Sequence, residues 1–303
     1  MNHSASLPAD SPPAQPHPAE PALEDTIVLV VGCFAFLALG SFVCVVIDRL
    51  PYRLDEPDQY GDFWGSRPWR QVVHGKSRCS SCSAEIKPYD NVPVASWVVL
   101  RGRCRSCGAD IGSFHPFVEL SAATGFVLAL WSFGVTWLLV PVLWFIPVAL
   151  AVAVIDLRTL IVPTAIVWPA TGILVAGSVL AAGLTGEWGR LLVAVIGVGV
   201  VAGPLFAIWF VVPAGMGFGD VRLAVSVGWL VGFYGGTRPM AGVALGVITL
   251  LVASVLGLLI GLVALGVRGR KAQVPFGPGF VLAGFTVALV AQQILEPWDL
   301  FAT

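Results

Sequence analysis

The feature that most limits the fold of this chain is a series of long apolar runs in which charged residues are rare. About 20 apolar residues are enough for a helix to cross a bilayer. Of the 303 residues, 57% are hydrophobic and only 12% are charged, against about 25% charged in a typical soluble domain. We therefore predict an all-α polytopic membrane protein with about eight transmembrane helices. The predicted helices are Thr26–Ile47, Phe117–Leu139, Pro141–Ile155, Leu160–Ala182, Leu191–Val212, Val221–Phe233, Met240–Val267 and Phe276–Leu295.

The basic residues are distributed unevenly among the segments between the apolar runs. Cytosolic loops of membrane proteins are enriched in Lys and Arg. With the amino terminus outside, the inner segments contain 15 of the 17 basic residues, and only Arg190 and Arg238 lie outside. We therefore predict extracytoplasmic amino and carboxyl termini, and a cytosolic segment between the first two helices. Membrane lipid is the expected surrounding, and no nucleic acid partner is expected.

The composition divides the chain into four parts. Residues 1–25 are rich in Pro and Ala, contain no Lys or Arg, and are predicted to be a disordered extracytoplasmic tail. Residues 26–48 are the first transmembrane helix, and residues 49–116 are too polar to enter lipid and form a cytosolic domain. Residues 117–303 are predicted to form a membrane domain of seven helices.

Four of the six cysteines form two Cys-x-x-Cys pairs in the cytosolic domain. Cys79 and Cys82 are followed, 21 residues later, by Cys104 and Cys107. Two such pairs at about this spacing are typical of a tetrahedral zinc site, and a reducing cytosol disfavours disulfides. Because four thiolates leave no open position for water, the predicted zinc is structural. A redox function for the thiols is the alternative.

Two acidic residues stand at the ends of predicted membrane helices. Asp156 closes the third helix, and Asp220 opens the sixth within Gly217-Phe218-Gly219-Asp220. Two helices separate the acids, so both are predicted at the cytosolic face. An ionisable residue at the edge of a membrane span is costly and indicates a functional site. The structural alternatives are that Asp156 pairs with Arg158 and that Asp220 caps its helix.

The two carboxyl groups together favour a catalytic interpretation. Carboxyls within a few ångströms of each other cannot both ionise cheaply, so they share a proton. The ionised group can activate water while the protonated group polarises a carbonyl, as in aspartic peptide hydrolysis. We predict Asp156 and Asp220 as the catalytic pair, with Gly217 and Gly219 allowing close backbone approach. The alternatives are a membrane transporter with a paired-Asp ion site, although such sites usually lie near the midplane, and a zinc-bearing scaffold.

The sequence resembles the type IV prepilin peptidases, which are membrane aspartic proteases of the Gly-x-Gly-Asp type. The resemblance rests, in order, on Gly40–Phe42, Asp48–Pro51, the four paired cysteines, Asp90–Trp97, Leu100–Cys104, Asp156–Pro163, Gly217–Leu223 and Pro275–Pro278. It implies that Asp156 and Asp220 are the catalytic aspartates of an enzyme in the bacterial plasma membrane. Its substrates would be prepilins or pseudopilins with short basic leader peptides, cut at the cytosolic face.

The resemblance also implies a second activity, because the whole amino-terminal half is present. Many family members methylate the new amino terminus with S-adenosylmethionine, and residues 49–116 would be the methyltransferase part. Cys44 stands where the family commonly has Asn, so a peptidase without methylation stays open. Thr164 stands where the family commonly has Asp or Asn, but that position is not one of the catalytic pair. Glu119 is a candidate for the second activity or, alternatively, an interfacial acid paired with a loop arginine. Other cofactor-binding residues and the oligomeric state stay unassigned.

Overall fold

The computed structural model describes residues 23–54, 64–213, 216–268 and 274–299. Within these ranges the chain forms eleven α-helices, one 3-10 helix (Pro88–Asn91) and a hairpin in which β1 (Pro51–Arg53) pairs antiparallel with β2 (Trp64–Ser66). The α-helices are α1 (Leu23–Arg49), α2 (Trp69–Val73), α3 (Ala95–Val99), α4 (Phe114–Phe133), α5 (Leu139–Thr159), α6 (Thr164–Thr185), α7 (Gly189–Val211), α8 (Phe218–Tyr234), α9 (Pro239–Arg268), α10 (Gly277–Leu289) and α11 (Ala291–Asp299). The predicted tail lies outside the described residues up to residue 22, and residues 23–25 belong to α1.

Most of the helices have the length and composition of membrane spans. Six of them, α1, α4, α5, α6, α7 and α9, are long and apolar enough to cross a bilayer. The pair α10 and α11, bent by 59°, gives a seventh span if it is counted as one. The predicted class, an all-α polytopic membrane protein, is confirmed. The number of eight spans stays a prediction, because α8 has only 17 residues, about 26 Å at 1.5 Å per residue.

The short helix α8 lies at the centre of the membrane domain, packed against α6, α7, α9 and α10. Its contact with α7 depends on glycines. A Cβ added to Gly232 would lie 2.5 Å from the carbonyl oxygen of Val193, and one added to Gly228 would lie 2.7 Å from that of Gly197. Small residues of this kind let membrane helices approach to backbone contact. Eleven of the 17 residues of α8 are buried as a result of this packing.

Buried hydroxyl groups fix the position of α8 between α5 and α6. The Ser226 hydroxyl lies 2.5 Å from that of Thr171, and the Trp229 indole N–H donates to Ser178 at 3.1 Å. At the other end of α8, the Tyr234 hydroxyl donates to the carbonyl oxygen of Leu138 at 2.6 Å, just before α5 begins. Because water is absent from a bilayer core, each of these groups needs a partner inside the protein.

Two predicted helix boundaries were wrong for local reasons. The second helix was placed as far as Leu139, but α4 ends at Phe133 because Gly134 (φ 61°) takes a conformation that side chains disfavour. Pro141 does not separate α4 from α5. It lies in the first turn of α5, where its missing N–H would have no hydrogen-bond partner within the helix anyway. The left-handed Leu160 (φ 60°) ends α5, so α6 begins at Thr164 rather than at Leu160.

Candidate active site and metal centre

Asp156 lies in the last turn of α5 and is only 3% exposed. Its Oδ2 accepts a hydrogen bond of 2.8 Å from the backbone N–H of Gly277, at the start of α10. A Cβ at Gly277 would lie 2.7 Å from the same oxygen, so this contact requires glycine. Arg158 points elsewhere and donates to Oδ1 of Asp48 at 2.8 Å. The structural alternative for Asp156, a pair with Arg158, therefore does not hold.

Asp220 lies in the first turn of α8, which begins at Phe218 with Gly217 in the N-cap position. Its own N–H donates to the carbonyl oxygen of Gly217 at 3.1 Å, so Asp220 is inside the helix and is not its cap. The two glycines of the motif differ. A Cβ on Gly219 would lie 2.9 Å from the Cβ of Val162, whereas one on Gly217 would make only ordinary contact, 3.6 Å from Oδ2 of Asp220. Close packing thus requires glycine at 219.

The contact between Gly219 and Val162 brings the start of α8 against the loop that follows α5. Asp156 is near the end of α5 and Asp220 near the start of α8, so the two acids lie on the segments that this contact joins. This contact is compatible with the predicted pair of acids, and their catalytic role stays a prediction. Two interacting carboxyl groups can divide the roles of general base and general acid between them.

Arg222 is the cation nearest in sequence to Asp220, and it is directed away from the two acids. Its guanidinium donates to Oγ1 of Thr164 and lies over the ring of Phe218, with 4.6 Å from Cζ to the ring centroid. Within the described parts of the chain, Arg222 makes no ion pair with either acid. Arg222 therefore does not stabilise the doubly ionised form of the two carboxyl groups through an ion pair.

The four paired cysteines converge in the segment between α1 and α4. The sulfur atoms of Cys79, Cys82, Cys104 and Cys107 all lie within 4.8 Å of one another, and those of Cys79 and Cys107 are 3.9 Å apart. Tetrahedral zinc with Zn–S bonds of about 2.3 Å requires sulfurs about 3.8 Å apart. The donor set and its spacing thus fit the predicted zinc.

The two Cys-x-x-Cys turns have the same backbone construction. In the first, the N–H of Cys79 donates to Ala84 and the N–H of Ser83 donates back to Cys79, both at 2.9 Å. In the second, Cys104 makes the corresponding bonds with Ala109 and Gly108. Hydrogen bonds from the backbone N–H groups of Cys82 and Ser81 lower the pKa of Cys79 to about 6. A thiol of this kind is readily available as thiolate, the form that binds metal.

An arginine inside the second turn ties the cysteine cluster to the preceding 3-10 helix. Nε and Nη2 of Arg105 both donate to the carboxylate of Asp90, with the shortest distance 2.6 Å. These hydrogen bonds lower the pKa of Asp90 below its usual value. The sequence predicted a cysteine cluster, but no sequence pattern indicated this two-point contact, whose partners lie far apart in the chain.

Glu119 is buried in α4, with 5% of its surface exposed. Its Oε2 accepts a hydrogen bond of 2.8 Å from the backbone N–H of Val94 in the cysteine-bearing segment. Its partner is therefore a backbone group, and the predicted alternative of a loop arginine does not hold. Sequence reasoning missed a second contact near this position, in which Nε2 of His115 lies 3.5 Å from Oδ2 of Asp48. Neither residue stands in a recognisable spacing with the other.

These features define a class of protein: a helical, multi-pass membrane protein with a paired-carboxylate site in its helix bundle and a four-cysteine segment between its first two long helices. Comparison with known families assigns the chain more closely. A model described as Bacterial Peptidase A24 N-terminal domain matches residues 34–133, and one described as Type IV leader peptidase family matches residues 142–262. The chain belongs to the type IV leader peptidase family, which confirms the resemblance found in the sequence.

Curated relatives match over nearly the whole chain. The Prepilin leader peptidase/N-methyltransferase of Pseudomonas putida is 30% identical, covering 91% of this chain and 93% of the relative. The proteins of the same name from Stutzerimonas stutzeri and Burkholderia pseudomallei are each 32% identical, covering 90% and 91% of this chain and 93% and 89% of the relatives. No solved structure matches the chain.

Proposed function

We propose that this protein is a membrane aspartic endopeptidase that removes the leader peptide from type IV prepilins or pseudopilins and then N-methylates the new amino terminus. Family membership supports the peptidase activity, and the names of the relatives support both activities. The observation that carries the proposal is the junction of α5 and α8, where Gly219 packs against Val162, Asp156 accepts a hydrogen bond from Gly277, and Arg158 is engaged elsewhere.

In the proposed mechanism, the two carboxyl groups share one proton. The ionised group removes a proton from water as the water attacks the scissile carbonyl, and the protonated group donates to the carbonyl oxygen. The tetrahedral intermediate then collapses: the C–N bond breaks and the leaving amine takes up a proton. Asp156, held by the N–H of Gly277, is fixed in position for this task.

The proposed orientation rests on the charge distribution. With 15 of 17 basic residues on one side, the site faces the cytosol of a bacterial plasma membrane, and both termini are extracytoplasmic. Prepilins with basic leaders would present the leader on that same side. Residues 49–116 form the cytosolic zinc-binding domain and residues 117–303 the seven-helix membrane domain. The zinc would be structural, held by four thiolates, and S-adenosylmethionine would supply the methyl group.

The peptidase proposal is tested with purified Asp156→Asn and Asp220→Asn variants and a prepilin substrate. Each substitution removes one member of the acid–base pair, so cleavage should fall by about 10²–10⁴-fold. Asp25→Asn, at the exposed start of α1, is the matched control and should cleave normally. Mass spectrometry of the substrate measures the cleaved fraction. Wild-type cleavage by either folded active-site variant would rule out the mechanism.

A further inference from the structure

Arg222 is a half-buried cation near the start of α8, and its hydrogen-bonding capacity is only partly used. Its charge has no acidic partner within the parts of the chain that the structure describes. Nη1 donates to Oγ1 of Thr164, Nε is enclosed without an acceptor, and Nη2 is neither bonded nor enclosed. A guanidinium with a free donor and an unbalanced charge is suited to bind an anion.

Two aromatic rings hold the guanidinium of Arg222 in place. Its Cζ lies 4.6 Å from the ring centroid of Phe218, and the Phe218 ring lies 4.5 Å, centroid to centroid, from the ring of Trp209 at the end of α7. An arginine that is stacked on a ring keeps the edge of its planar fork free, and this edge matches the two oxygens of a carboxylate. Because the proposed substrate is a polypeptide, its acidic side chains are the anions that this edge would meet.

The surface around the contact between Arg222 and Thr164 is open and chemically mixed. Thr164 is exposed at the start of α6, and the Trp69 indole N–H of α2 donates to the carbonyl oxygen of the next residue, Ala165, at 3.3 Å. Trp69 itself is 40% exposed. Arginine and tryptophan are enriched where proteins bind other chains. This edge of the membrane domain therefore offers a partly exposed indole and a hydroxyl beside the unbalanced cation.

The residue at position 164 makes this arrangement particular to this chain. The family commonly has Asp or Asn there, whereas this chain has Thr164. An Asp at this position would be a carboxylate within hydrogen-bond reach of Arg222 and would balance its charge from inside the protein. The threonine hydroxyl accepts a hydrogen bond but carries no charge, so Arg222 keeps its full positive charge for a partner from outside.

We propose that Arg222 is a specificity-determining residue that binds an acidic side chain of the substrate, a few residues from the scissile bond. This inference rests on the peptidase function proposed above. Arg222 lies two residues after Asp220, and an extended substrate advances about 3.3 Å per residue. A side chain a few positions from the cut can therefore reach Arg222 while the scissile carbonyl is at Asp220. The ion pair holds the substrate in register and takes no part in proton transfer.

The inference is tested first with variants of the purified full-length protein in a neutral detergent without added lipid. Thr164→Asp supplies the internal carboxylate, and Thr164→Asn is its matched control, with the same size and no charge. Arg222→Gln removes the cation, and Arg103→Gln, an exposed arginine in the cysteine-bearing segment, is the control for loss of a positive charge. Cleavage is measured over a range of concentrations of a prepilin that has at least one acidic residue close to the cut, which gives kcat and KM separately.

The second part of the test changes the substrate. Each Asp or Glu within about six residues of the cut, about 20 Å of extended chain, is replaced in turn by Asn or Gln. We expect one replacement to raise the KM of the wild-type protein by about tenfold or more, the effect of losing a hydrogen bond between charged groups, with little change in kcat. The same replacement should have little further effect on Arg222→Gln or Thr164→Asp. A substrate with Lys at that position should be cut better by Arg222→Glu than by the wild-type protein.

We expect Thr164→Asp to raise KM about tenfold and Thr164→Asn to stay close to the wild-type value. Equal KM values for these two variants, or a substrate effect that persists in Arg222→Gln, would overturn the inference. So would an effect of Arg222→Gln that appears only when anionic phospholipid is added, because the guanidinium would then bind a lipid phosphate. If Arg222→Gln does not fold, the two variants of Thr164 decide. A wild-type protein that cleaves no prepilin would refute the proposed function itself, which is distinct from a working peptidase that ignores the charge of its substrate.

Discussion

At the scale of single residues, the surroundings of Asp156 are set by a backbone group. The N–H of Gly277 donates to its Oδ2, and the arginine two residues away is bound to Asp48. A carboxylate held by a backbone donor keeps its orientation while remaining free of a neutralising cation. Gly277 thus gives the Pro275–Pro278 segment a physical role, because its N–H holds Asp156 and its missing side chain leaves room for the carboxylate.

We predict that Gly277→Ala lowers the cleavage rate by about 10²-fold, because a displacement of about 1 Å in a reacting group has effects of this size. The added Cβ would lie 2.7 Å from Oδ2 of Asp156 and must move it. Steady-state cleavage of a prepilin measures the effect. Gly199→Ala, in α7 where a Cβ meets nothing within 4 Å, is the control and should be neutral. Full activity in Gly277→Ala would show that the carboxylate position is not set by this contact.

The ion pair between Asp90 and Arg105 leads to a second residue-scale prediction. Because Arg105 lies between two of the cysteines, Asp90→Asn should release zinc to a chelator faster at pH 7. The lowered pKa of Asp90 means that the pair contributes at all pH values above about 3.9 and is lost only as the pH falls below that value. Glu85→Gln, which breaks a single-point surface pair with Lys76, should have little effect. Equal release rates for the two variants would contradict this role for Asp90.

At the scale of helices, the contact between α7 and α8 determines where Asp220 lies. We predict that Gly232→Val destabilises the membrane domain by about 1–3 kcal/mol or more, because overpacking forces the helices apart. The new side chain would start 2.5 Å from the Val193 carbonyl oxygen. Gly203→Val, at a position on α7 with open space around it, is the matched control. Thermal unfolding in detergent compares the two, and equal midpoints would exclude close packing at Gly232.

The sequence predicted the helices well and their ends poorly. Apolar runs of sufficient length identify helices because the bilayer requires them, and seven of the eight predicted segments each correspond to one helix. The eighth, predicted as Phe276–Leu295, is divided into α10 and α11, which are bent by 59°. Their ends depend on single backbone conformations, such as the left-handed Leu160, that composition does not encode. This difference matters for Asp220, which was predicted to open its helix and in fact lies within the first turn of α8, three residues after the N-cap Gly217.

In the candidate site, too, some features could be predicted from sequence spacing and others could be seen only in the folded structure. Counting helices predicted Asp156 and Asp220 on one face, and in the structure they lie on segments joined by the contact between Gly219 and Val162. Cysteine spacing likewise predicted a cluster that the structure contains. The partner of Glu119 could not be predicted, because it is a backbone N–H in a distant loop whose strained conformation has no sequence signature.

At the scale of the whole molecule, the two halves of the chain should respond differently to loss of zinc. The four paired cysteines lie between α1 and α4, whereas Asp156 belongs to α5 and Asp220 to α8. We predict that Cys82→Ser loses its zinc and its methylation but retains much of its cleavage activity. Metal analysis with assay of both products measures this. Ser80→Ala, in the same turn, should retain zinc. Undiminished methylation in a zinc-free protein would contradict the prediction.

Asp156 and Asp220 are proposed to act as one catalytic unit, and the residual cleavage rate of the Asp156→Asn/Asp220→Asn double variant distinguishes this from independent action. Residues that act together are strongly non-additive when removed. The account predicts that the double variant cleaves prepilin no more slowly than the slower single variant. A loss in the double variant equal to the product of the two single losses would show that the two acids act independently, and would contradict the claim.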